Sequence, residues 1–237
     1  MEELGSKLRA SRAAIGANIT NSSLPTISFA AGLVNLEAYS AGVSESFVAE
    51  FMILANTLVA EYFHRNNLPV VLRSQVAKNK QAEYVNTPRI HADLALDMYA
   101  HFTSPIRRLA DLKVHQILTL HLHGTSSEAL HELFDPELEE ICMYATKGSR
   151  RAKSVSNACN RYCYACYLNR HQNARYTGEV VGRDKRGRWL VRLEQLGLQV
   201  IGARIPKAHE GLKLSFQVSV NWSNNTMFTR NAYAVAA

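Results

Sequence analysis

The longest regular pattern of apolar residues lies between residues 44 and 64, and it has the period of an α-helix. Its apolar members are three or four positions apart and therefore share one helix face. They are Phe47, Phe51, Ala55, Leu58 and Tyr62. Ser44 is a residue type that begins helices, and Asn67, which is soon followed by Pro69, is a type that ends them. The pattern predicts an amphipathic helix from Ser44 to about residue 65.

Helix-start residues and helical periodicity also divide the following hundred residues. They predict a short helix over 93–99, a helix over 105–121, and a pair of helices that starts at 135, is interrupted near 148 and ends at about 173. Ser104 and Pro105 have the residue types of an N-cap and a first helical position, and Asp135 and Pro136 repeat that combination. The polar stretch 78–88 predicts a loop.

Alternating apolar and polar residues predict β-strands in two places. Residues 25–39 contain two alternating runs on either side of a glycine, which indicates a β-hairpin. From residue 176 onward, four or five short alternating runs are separated by turn residues, which is typical of a small β-barrel of the OB type. The sequence therefore predicts an α+β protein, with a mainly helical domain at 1–173 and a barrel at 174–237.

Composition narrows the class of protein. The chain has 237 residues, 47% of them hydrophobic, and a formal net charge of +7, which excludes disordered, collagen-like and coiled-coil classes. The most apolar stretch, 47–63, is interrupted by Glu50, Asn56 and Glu61, so no membrane span is expected. No secretory pattern opens the sequence, and it has only four cysteines. We expect a cytoplasmic or organellar protein in a reducing compartment.

Three of the cysteines, Cys159, Cys163 and Cys166, have the spacing of one helix face. A zinc site would need further ligands, for which only Cys142 and His171 are candidates. Buried structural thiols are the preferred interpretation, and no metal site is predicted.

Basic residues are concentrated in residues 147–188, which contain eleven Lys and Arg residues and only two acidic ones. Tyrosines and Trp189 lie among them. A basic surface with aromatic rings on an OB-type barrel is typical of single-stranded nucleic-acid binding. The candidate RNA-binding residues of this region are Arg150, Arg151, Lys153, Arg161, Arg183, Lys185, Arg186, Arg188 and Trp189. A solvated basic face, or one that meets an acidic protein or a membrane surface, remains an alternative.

The segment Ser104-Pro-Ile-Arg-Arg108 places two arginines in the first turn of the predicted 105–121 helix. The helix dipole disfavours cations there, whereas free N–H groups at a helix start attract anions. Arg107 and Arg108 therefore indicate a bound phosphate or carboxylate, unless they are solvated or paired with Asp111 or with glutamates. The sequence lacks a Gly-rich phosphate loop, a dinucleotide fingerprint, a nucleophile elbow and HExxH.

Residues 99–115, which read Tyr-Ala-His-Phe-Thr-Ser-Pro-Ile-Arg-Arg-Leu-Ala-Asp-Leu-Lys-Val-His, resemble the signature segment of the ribonuclease II (RNB) family. Members of that family are processive 3′ to 5′ exoribonucleases. Shorter segments at 8–17, 50–56, 68–69 and His91 resemble the family in the same order. The resemblance implies the C-terminal portion of an RNB domain followed by an S1-like OB barrel.

The resemblance also implies a reaction and a set of site residues. The family hydrolyses single-stranded RNA to 5′-nucleotides with Mg²⁺. Arg107 would be the catalytic arginine at the scissile phosphate, and Arg108 would contact a neighbouring phosphate. Thr103 and Ser104 would shape the turn, and Glu50 and Asn56 are carried over as further RNA-binding residues.

The sequence departs from the family pattern at its metal site. Family members carry an aspartate-rich metal motif N-terminal to the part present here, and no residue of this chain replaces it. Ala49 and Ser156 stand where the family has glutamates. Three hypotheses follow. The chain is the C-terminal part of an exoribonuclease, either a fragment or one half of a split enzyme whose N-terminal RNB half is a separate polypeptide; or it is a non-catalytic RNA-binding or scaffolding relative; or it is a protein-interaction module. We expect the isolated chain to be inactive.

Overall fold

The computed structural model describes residues 2–19, 25–37, 39, 42–78, 80–184, 186–196, 198–203, 205, 209–223 and 227–235. The helices and strands are, in chain order, α1 (Glu2–Ala14), β1 (Thr26–Ala30), β2 (Leu33–Glu37), α2 (Val43–Arg65), β3 (Leu72–Ser74), β4 (Glu83–Val85), α3 (Leu109–Leu122), α4 (Ser127–Arg170), β5 (Arg175–Arg183), β6 (Trp189–Leu193), β7 (Leu198–Ala203), β8 (Lys213–Ser223) and β9 (Met227–Val235). This mixture confirms the predicted α+β class.

The chain divides into two compact units. Unit 1 comprises Met1–Thr20 and Gly42–Ala152, and unit 2 comprises Asn21–Ala41 and Lys153–Ala237. The predicted domain boundary near residue 174 coincides with the start of β5, whereas this division falls inside α4. The hairpin of β1 and β2 belongs to unit 2 although it is far from the barrel in sequence.

Helices α2, α3 and α4 form the main core of unit 1. Leu130, Phe134 and Leu138 are four positions apart on α4 and are almost fully buried. They belong to one cluster with Phe63 of α2 and Val114 of α3. Burial of this apolar stripe provides the main driving force for assembling the three helices.

The helix predicted at α2 is confirmed, with small differences at its ends, but the predicted apolar face is wrong: Leu58 and Tyr62 are exposed, and the buried residues are Glu50, Asn56, Ala60 and Phe63. The helix begins at Val43 rather than at Ser44, because Gly42 is the N-cap and its N–H donates to Glu45 Oε2 at 3.2 Å. Asn67, just beyond the last turn, has φ +48°, the left-handed conformation that asparagine tolerates. α2 is also the one described helix with the length and composition of a membrane span, a test that core helices pass too. The expectation that no segment crosses a bilayer stays a prediction.

Helix α4 is continuous over 44 residues, so the predicted helix start at Asp135 and the break near Gly148 are wrong. Buried residues of one stripe lie on both sides of Pro136, and their packing outweighs the local helix-breaking tendency. Gly148 disfavours a helix by only about 1 kcal/mol relative to alanine, which a packed helix tolerates.

Two further local predictions are wrong, and in both places hydrogen bonds to other segments help to hold the backbone. Residues 93–99 form turns and bridges, not a helix: His91 N–H donates to Leu96 O at 2.7 Å, and Gln75 holds Asp93 through two hydrogen bonds. The predicted loop at 78–88 contains β4, which pairs antiparallel with β3.

The predicted hairpin in unit 2 is confirmed. β1 and β2 pair antiparallel, and Ala31 and Gly32 turn the chain with φ +50° and +74°. Positive φ at both turn positions matches the right-handed twist of the two strands.

The remaining strands of unit 2 close a five-stranded barrel in the order β5-β6-β7-β9-β8. All neighbouring pairs are antiparallel except β7 and β9. Val180, Val191, Leu193 and Phe216 fill its interior, and Leu168 of α4 joins the same cluster. The barrel therefore has its own hydrophobic core.

Candidate nucleic-acid site

The turn before α3 differs from the prediction in a way that changes the site. α3 begins at Leu109 with Arg108 as its N-cap, so Ser104 does not cap the helix and the two arginines are not in its first turn. Asp111 occupies that turn instead and accepts the Ser104 N–H at 2.7 Å. A carboxylate is favoured at this end of the helix dipole, and it holds the preceding residues in a turn.

The two arginines have different environments. Arg108 donates to Asp111 Oδ2 at 2.8 Å, and the Asp111 side chain is completely buried. The alternative that Asp111 pairs with an arginine is therefore correct for Arg108. Arg107 is exposed, and no carboxylate of the described residues lies within ion-pair distance of it. Its guanidinium is available to a ligand.

A cleft of about 550 Å³ opens beside this turn, entirely within unit 1. It is lined by Tyr84, by residues of the turn and the start of α3, and by residues of α4: Arg107, Arg108, Leu109 and Ala110 from the former, and Tyr144, Ala145, Gly148, Ser149 and Ala152 from the latter. Most of the α4 residues are small, so the helix leaves space where longer side chains would fill it. The volume is in the range of small-ligand sites.

A layer of rings that includes Tyr84 extends from the cleft into unit 1. The ring pairs His91–Tyr99, Tyr99–His101 and Tyr84–His101 meet edge to face, with centroids 5.5 to 5.6 Å apart. The Tyr84 hydroxyl and His101 Nδ1 form a hydrogen bond of 2.8 Å. Burial, followed by the charge of Arg108, lowers the pKa of His101 to about 3. His101 is therefore neutral at physiological pH.

Glu50 and Asn56, both predicted RNA-binding residues, are buried in internal contacts. Glu50 accepts two hydrogen bonds from Arg12 at 2.6 and 2.8 Å. Asn56 donates to the Tyr99 hydroxyl at 2.7 Å and accepts the Phe102 N–H at 2.9 Å. Asn56 thus supports the segment that leads to Arg107, and direct contact of either residue with RNA stays a prediction.

Thr103 is half-buried, and its Oγ1 is a buried atom without a hydrogen-bond partner among the described residues. On α4, Arg150 follows the cleft residue Ser149 and lies 3.7 Å from Glu83. Arg151 is exposed in unit 1, and Lys153 and Arg161 are exposed in unit 2. Thr103, Ser104, Arg107, Arg108, Arg150 and Arg151 therefore all belong to unit 1, and of these Arg107 and Arg108 line the cleft.

The predicted residues of the barrel lie around the β5–β6 turn in unit 2. The Arg183 guanidinium lies 4.0 Å from the centre of the Trp189 ring. Arg188 pairs with Asp184 at 2.6 Å, and Asp184 also accepts the backbone N–H groups of Arg186 and Arg188. The Arg186 side chain is exposed. Lys185 lies outside the described residues.

The described residues do not fit Mg²⁺. They contain no group of three His, Cys, Asp or Glu residues that could hold a metal ion. Asp111, the carboxylate beside the cleft, accepts from Arg108 and from the Ser104 N–H through Oδ2, and its buried Oδ1, which has no partner among the described residues, does not by itself make a Mg²⁺ site. The preference for buried thiols at the three clustered cysteines is wrong for Cys159, which is exposed, and Cys163 and Cys166 are only half-buried. The fourth cysteine, Cys142, is buried, and burial raises its pKa to about 11.

Sequence reasoning missed two residues at this site. Arg73 stacks on Tyr84, with its guanidinium 4.5 Å from the ring centre, and its Nη1 is buried without a hydrogen-bond partner among the described residues. A charged residue that directly follows the apolar run 70–72 was the available signal. Tyr144 lines the cleft, and nothing in the pattern of α4 distinguished it from other exposed residues.

Known proteins resemble this chain in sequence and in fold. A family model described as RNB domain matches residues 1–82 and 76–124. An uncharacterized ribonuclease of Synechocystis sp. is 28% identical over 212 residues, which cover 78% of this chain and 31% of that protein.

Two solved structures extend the comparison. Mycoplasma genitalium RNase R in complex with ribose-methylated single-stranded RNA has a TM-score of 0.75 at 15% identity, over 99% of this chain and 48% of that one. Yeast Ssd1, a pseudonuclease, has a TM-score of 0.55 at 18% identity, over 91% of this chain and 34% of that one.

These similarities establish the fold and the family. The chain spans between about a third and a half of the length of the proteins that it matches. At 15% and 18% identity, the structural likenesses concern the fold alone. The family model covers more than half of the chain and includes the signature segment at 99–115. The chain therefore belongs to the RNB domain family.

Proposed function

We propose that the chain is the RNA-binding C-terminal part of an RNB-family 3′ to 5′ exoribonuclease. The observation that carries this proposal is the cleft in unit 1, where Arg107 is exposed and unpaired among the described residues while Asp111 immobilises its neighbour Arg108. A guanidinium presented by a rigid turn suits bidentate contact with a phosphate. In the proposed complex, Arg107 contacts the scissile phosphate and Arg108 supports the turn and a neighbouring phosphate.

The barrel of unit 2 supports the same proposal. Its five strands have the connectivity of an OB-type barrel, which we infer to be S1-like. Its β5–β6 turn carries Arg183, Arg186, Arg188 and Trp189, which suit backbone contact and base stacking. Mycoplasma RNase R, which has a similar fold, was solved with single-stranded RNA. We infer that single-stranded RNA is also the ligand of this chain.

Hydrolysis requires groups that the described residues do not supply. Mg²⁺ has no fitting ligand set among them, so we infer that its ligands come from further RNB sequence, on the same protein or on a separate polypeptide. The isolated chain is then an RNA-binding protein without nuclease activity. We place it inside the cell, in the cytoplasm or an organelle, because RNA turnover takes place there.

A non-catalytic RNA-binding or scaffolding role is the second candidate. It is favoured by Ala49 and Ser156, which stand where the family resemblance implies glutamates. The similarity in fold to the pseudonuclease Ssd1 supports the same alternative. The two candidates share the RNA site and differ in whether added RNB sequence restores cleavage.

The test is a paired measurement of binding and degradation with a 5′-labelled single-stranded RNA and Mg²⁺. We expect binding without shortening, and we expect Arg107→Ala to weaken binding about tenfold, because a charge-assisted contact to phosphate is lost. Arg65→Ala is the matched control, since it removes an exposed arginine from the end of α2. Gly148→Leu is a second variant, which we expect to obstruct the cleft and weaken binding as well.

Each outcome has a distinct meaning. Equal binding by Arg107→Ala and Arg65→Ala would overturn the assignment of the cleft. Shortening of the RNA that depends on Arg107 would show that the chain completes a metal site by itself. If the chain binds but gains no activity when the N-terminal half of a related RNB domain is added, the non-catalytic candidate is favoured.

A further inference from the structure

Tyr144 is a large aromatic residue at the edge of the cleft that the proposed function has not used. It lies on α4, its side chain is 55% exposed, and it is one of the residues that line the cleft. No aromatic pair or cation–π contact of Tyr144 is present among the described residues. Single exposed tyrosines are common on protein surfaces, so the informative feature of Tyr144 is its position at the cleft.

The neighbouring residues of α4 leave the Tyr144 ring uncovered. Helical side chains lean toward the N-terminus, so the residue four positions later normally covers its neighbour. That residue is Gly148, and a Cβ built there would have no atom within 4 Å. Ala145 and Ser149, which also line the cleft, are too short to pack over an aromatic ring.

The turn before α3 supplies the other half of a nucleotide site. Arg107 lies there, exposed and held on the turn that Asp111 stabilises. A nucleotide combines an anionic phosphate with a flat aromatic base, and the cleft presents a guanidinium and an uncovered ring to the same space. Its volume of about 550 Å³ accommodates one nucleotide.

We propose that Tyr144 stacks on the base of the RNA nucleotide whose phosphate contacts Arg107. This inference rests on the proposed function, because it requires RNA in the cleft. Stacking does not depend on the identity of the base, since every base has a π-face, so the site binds single-stranded RNA without sequence preference. Base-paired RNA is bound less well, because its bases are already stacked.

The test compares Tyr144→Ala, Tyr144→Phe and Tyr144→Trp for binding to single-stranded RNA and to an abasic oligomer of the same length. We expect Tyr144→Ala to weaken RNA binding about tenfold and to leave binding of the abasic oligomer unchanged. Phenylalanine and tryptophan should retain RNA binding, because both keep a ring. Leu133→Ala is the matched control: it removes a large side chain of similar exposure, 59%, from the same helix away from the cleft and from the basic region, and it should bind normally.

Arg107→Ala separates failure of this inference from failure of the proposed function. If Arg107→Ala weakens binding of both oligomers while Tyr144→Ala binds RNA like the control, the cleft binds phosphate and the stacking role is overturned. If Arg107→Ala also binds normally, the proposed function itself fails. Equal losses of RNA and abasic binding in Tyr144→Ala would likewise overturn the stacking role, since they would indicate a change in the cleft rather than a lost base contact.

Discussion

At the scale of single residues, Asp111 distinguishes two adjacent arginines that look equivalent in the sequence. Its buried carboxylate pairs with Arg108 and accepts the Ser104 N–H. Removing one partner of such a buried pair costs about 3 to 5 kcal/mol, whereas an exposed arginine contributes little to stability. Arg108 is therefore a structural residue as well as a candidate ligand contact, and Arg107 is free to act on a ligand alone.

His101 makes the stability of the protein sensitive to acid. Its pKa is lowered from 6.5 to about 3 by burial and by Arg108, so the unfolded chain binds a proton at a pH at which the folded protein does not. The free energy of unfolding is therefore highest above pH 6.5, where His101 is neutral in both states. It decreases as the pH falls toward 3, because the unfolded chain gains a proton that the folded protein does not bind. Between pH 7 and pH 5 we expect a loss of about 2 kcal/mol in the free energy of unfolding from this residue.

The measurement is urea unfolding of the wild type and His101→Gln at pH 7 and pH 5. Glutamine keeps a polar side chain near the Tyr84 hydroxyl but does not titrate. The difference between the two pH values should be smaller in the variant by about the stated amount. Equal pH dependence in both proteins would contradict the assignment of the effect to His101.

At the scale of elements, glycine has opposite roles in α4 and in the barrel. Gly148 lies inside a helix with open space beside it, so its lack of a side chain only weakens the helix. Gly178 of β5 lies over the barrel core, where a Cβ would come within 2.7 Å of Phe216 and Val191. The first glycine keeps the cleft open, and the second permits close packing.

Alanine at these two positions should therefore change stability in opposite directions. We expect Gly148→Ala to stabilise the protein by up to about 1 kcal/mol, through helix propensity. Gly178→Ala should destabilise it by about 1 to 3 kcal/mol, because fully buried side chains must shift. Thermal unfolding followed by circular dichroism measures both, and destabilisation by Gly148→Ala would contradict the open environment of that position.

At the scale of the whole molecule, basic charge is present in both compact units. Arg107 and Arg150 belong to unit 1, whereas Arg161 and the arginines of the β5–β6 turn belong to unit 2. The ion pairs that these arginines form among the described residues each involve a single carboxylate, not an acidic cluster that would neutralise a whole surface. The net charge of +7 should therefore favour binding of a polyanion.

RNA binding by the intact chain should depend strongly on salt. Each phosphate contact on a single strand contributes about −0.7 to the slope of log K against log salt concentration. With three or more contacts we expect a slope of about −2 or steeper. Titrations between low and high salt measure it, and poly-glutamate of similar length is the control. A flat slope, or equally tight binding of poly-glutamate, would favour the protein-interaction module over an RNA-binding protein.

Much of the fold was predictable because it depends on local patterns. The period of α2, the alternation of β1 and β2, and the strands of the barrel are encoded within short windows of sequence. Predictions failed where partners are distant: Tyr84 N–H donates to Thr146, which lies 62 positions away, and this contact helps to hold β4 in a stretch that is locally polar. The local pattern of apolar and polar residues cannot predict contacts of this kind, because the two partners lie in different windows of sequence.

For the candidate site, the residue types in the signature segment were sufficient to identify the family and to select Arg107 and Arg108. The start of α3, the pairing of Arg108 with Asp111 and the open space beside Tyr144 depend instead on how separate helices pack. The position at which a helix begins depends on which side chain can accept from its free N–H groups. A cleft forms only between packed elements, which here are distant in sequence. The sequence therefore determines which chemical groups the site contains. Only the tertiary structure determines which of these groups are exposed in a cleft that a ligand can enter, because the cleft forms between elements that are distant in sequence.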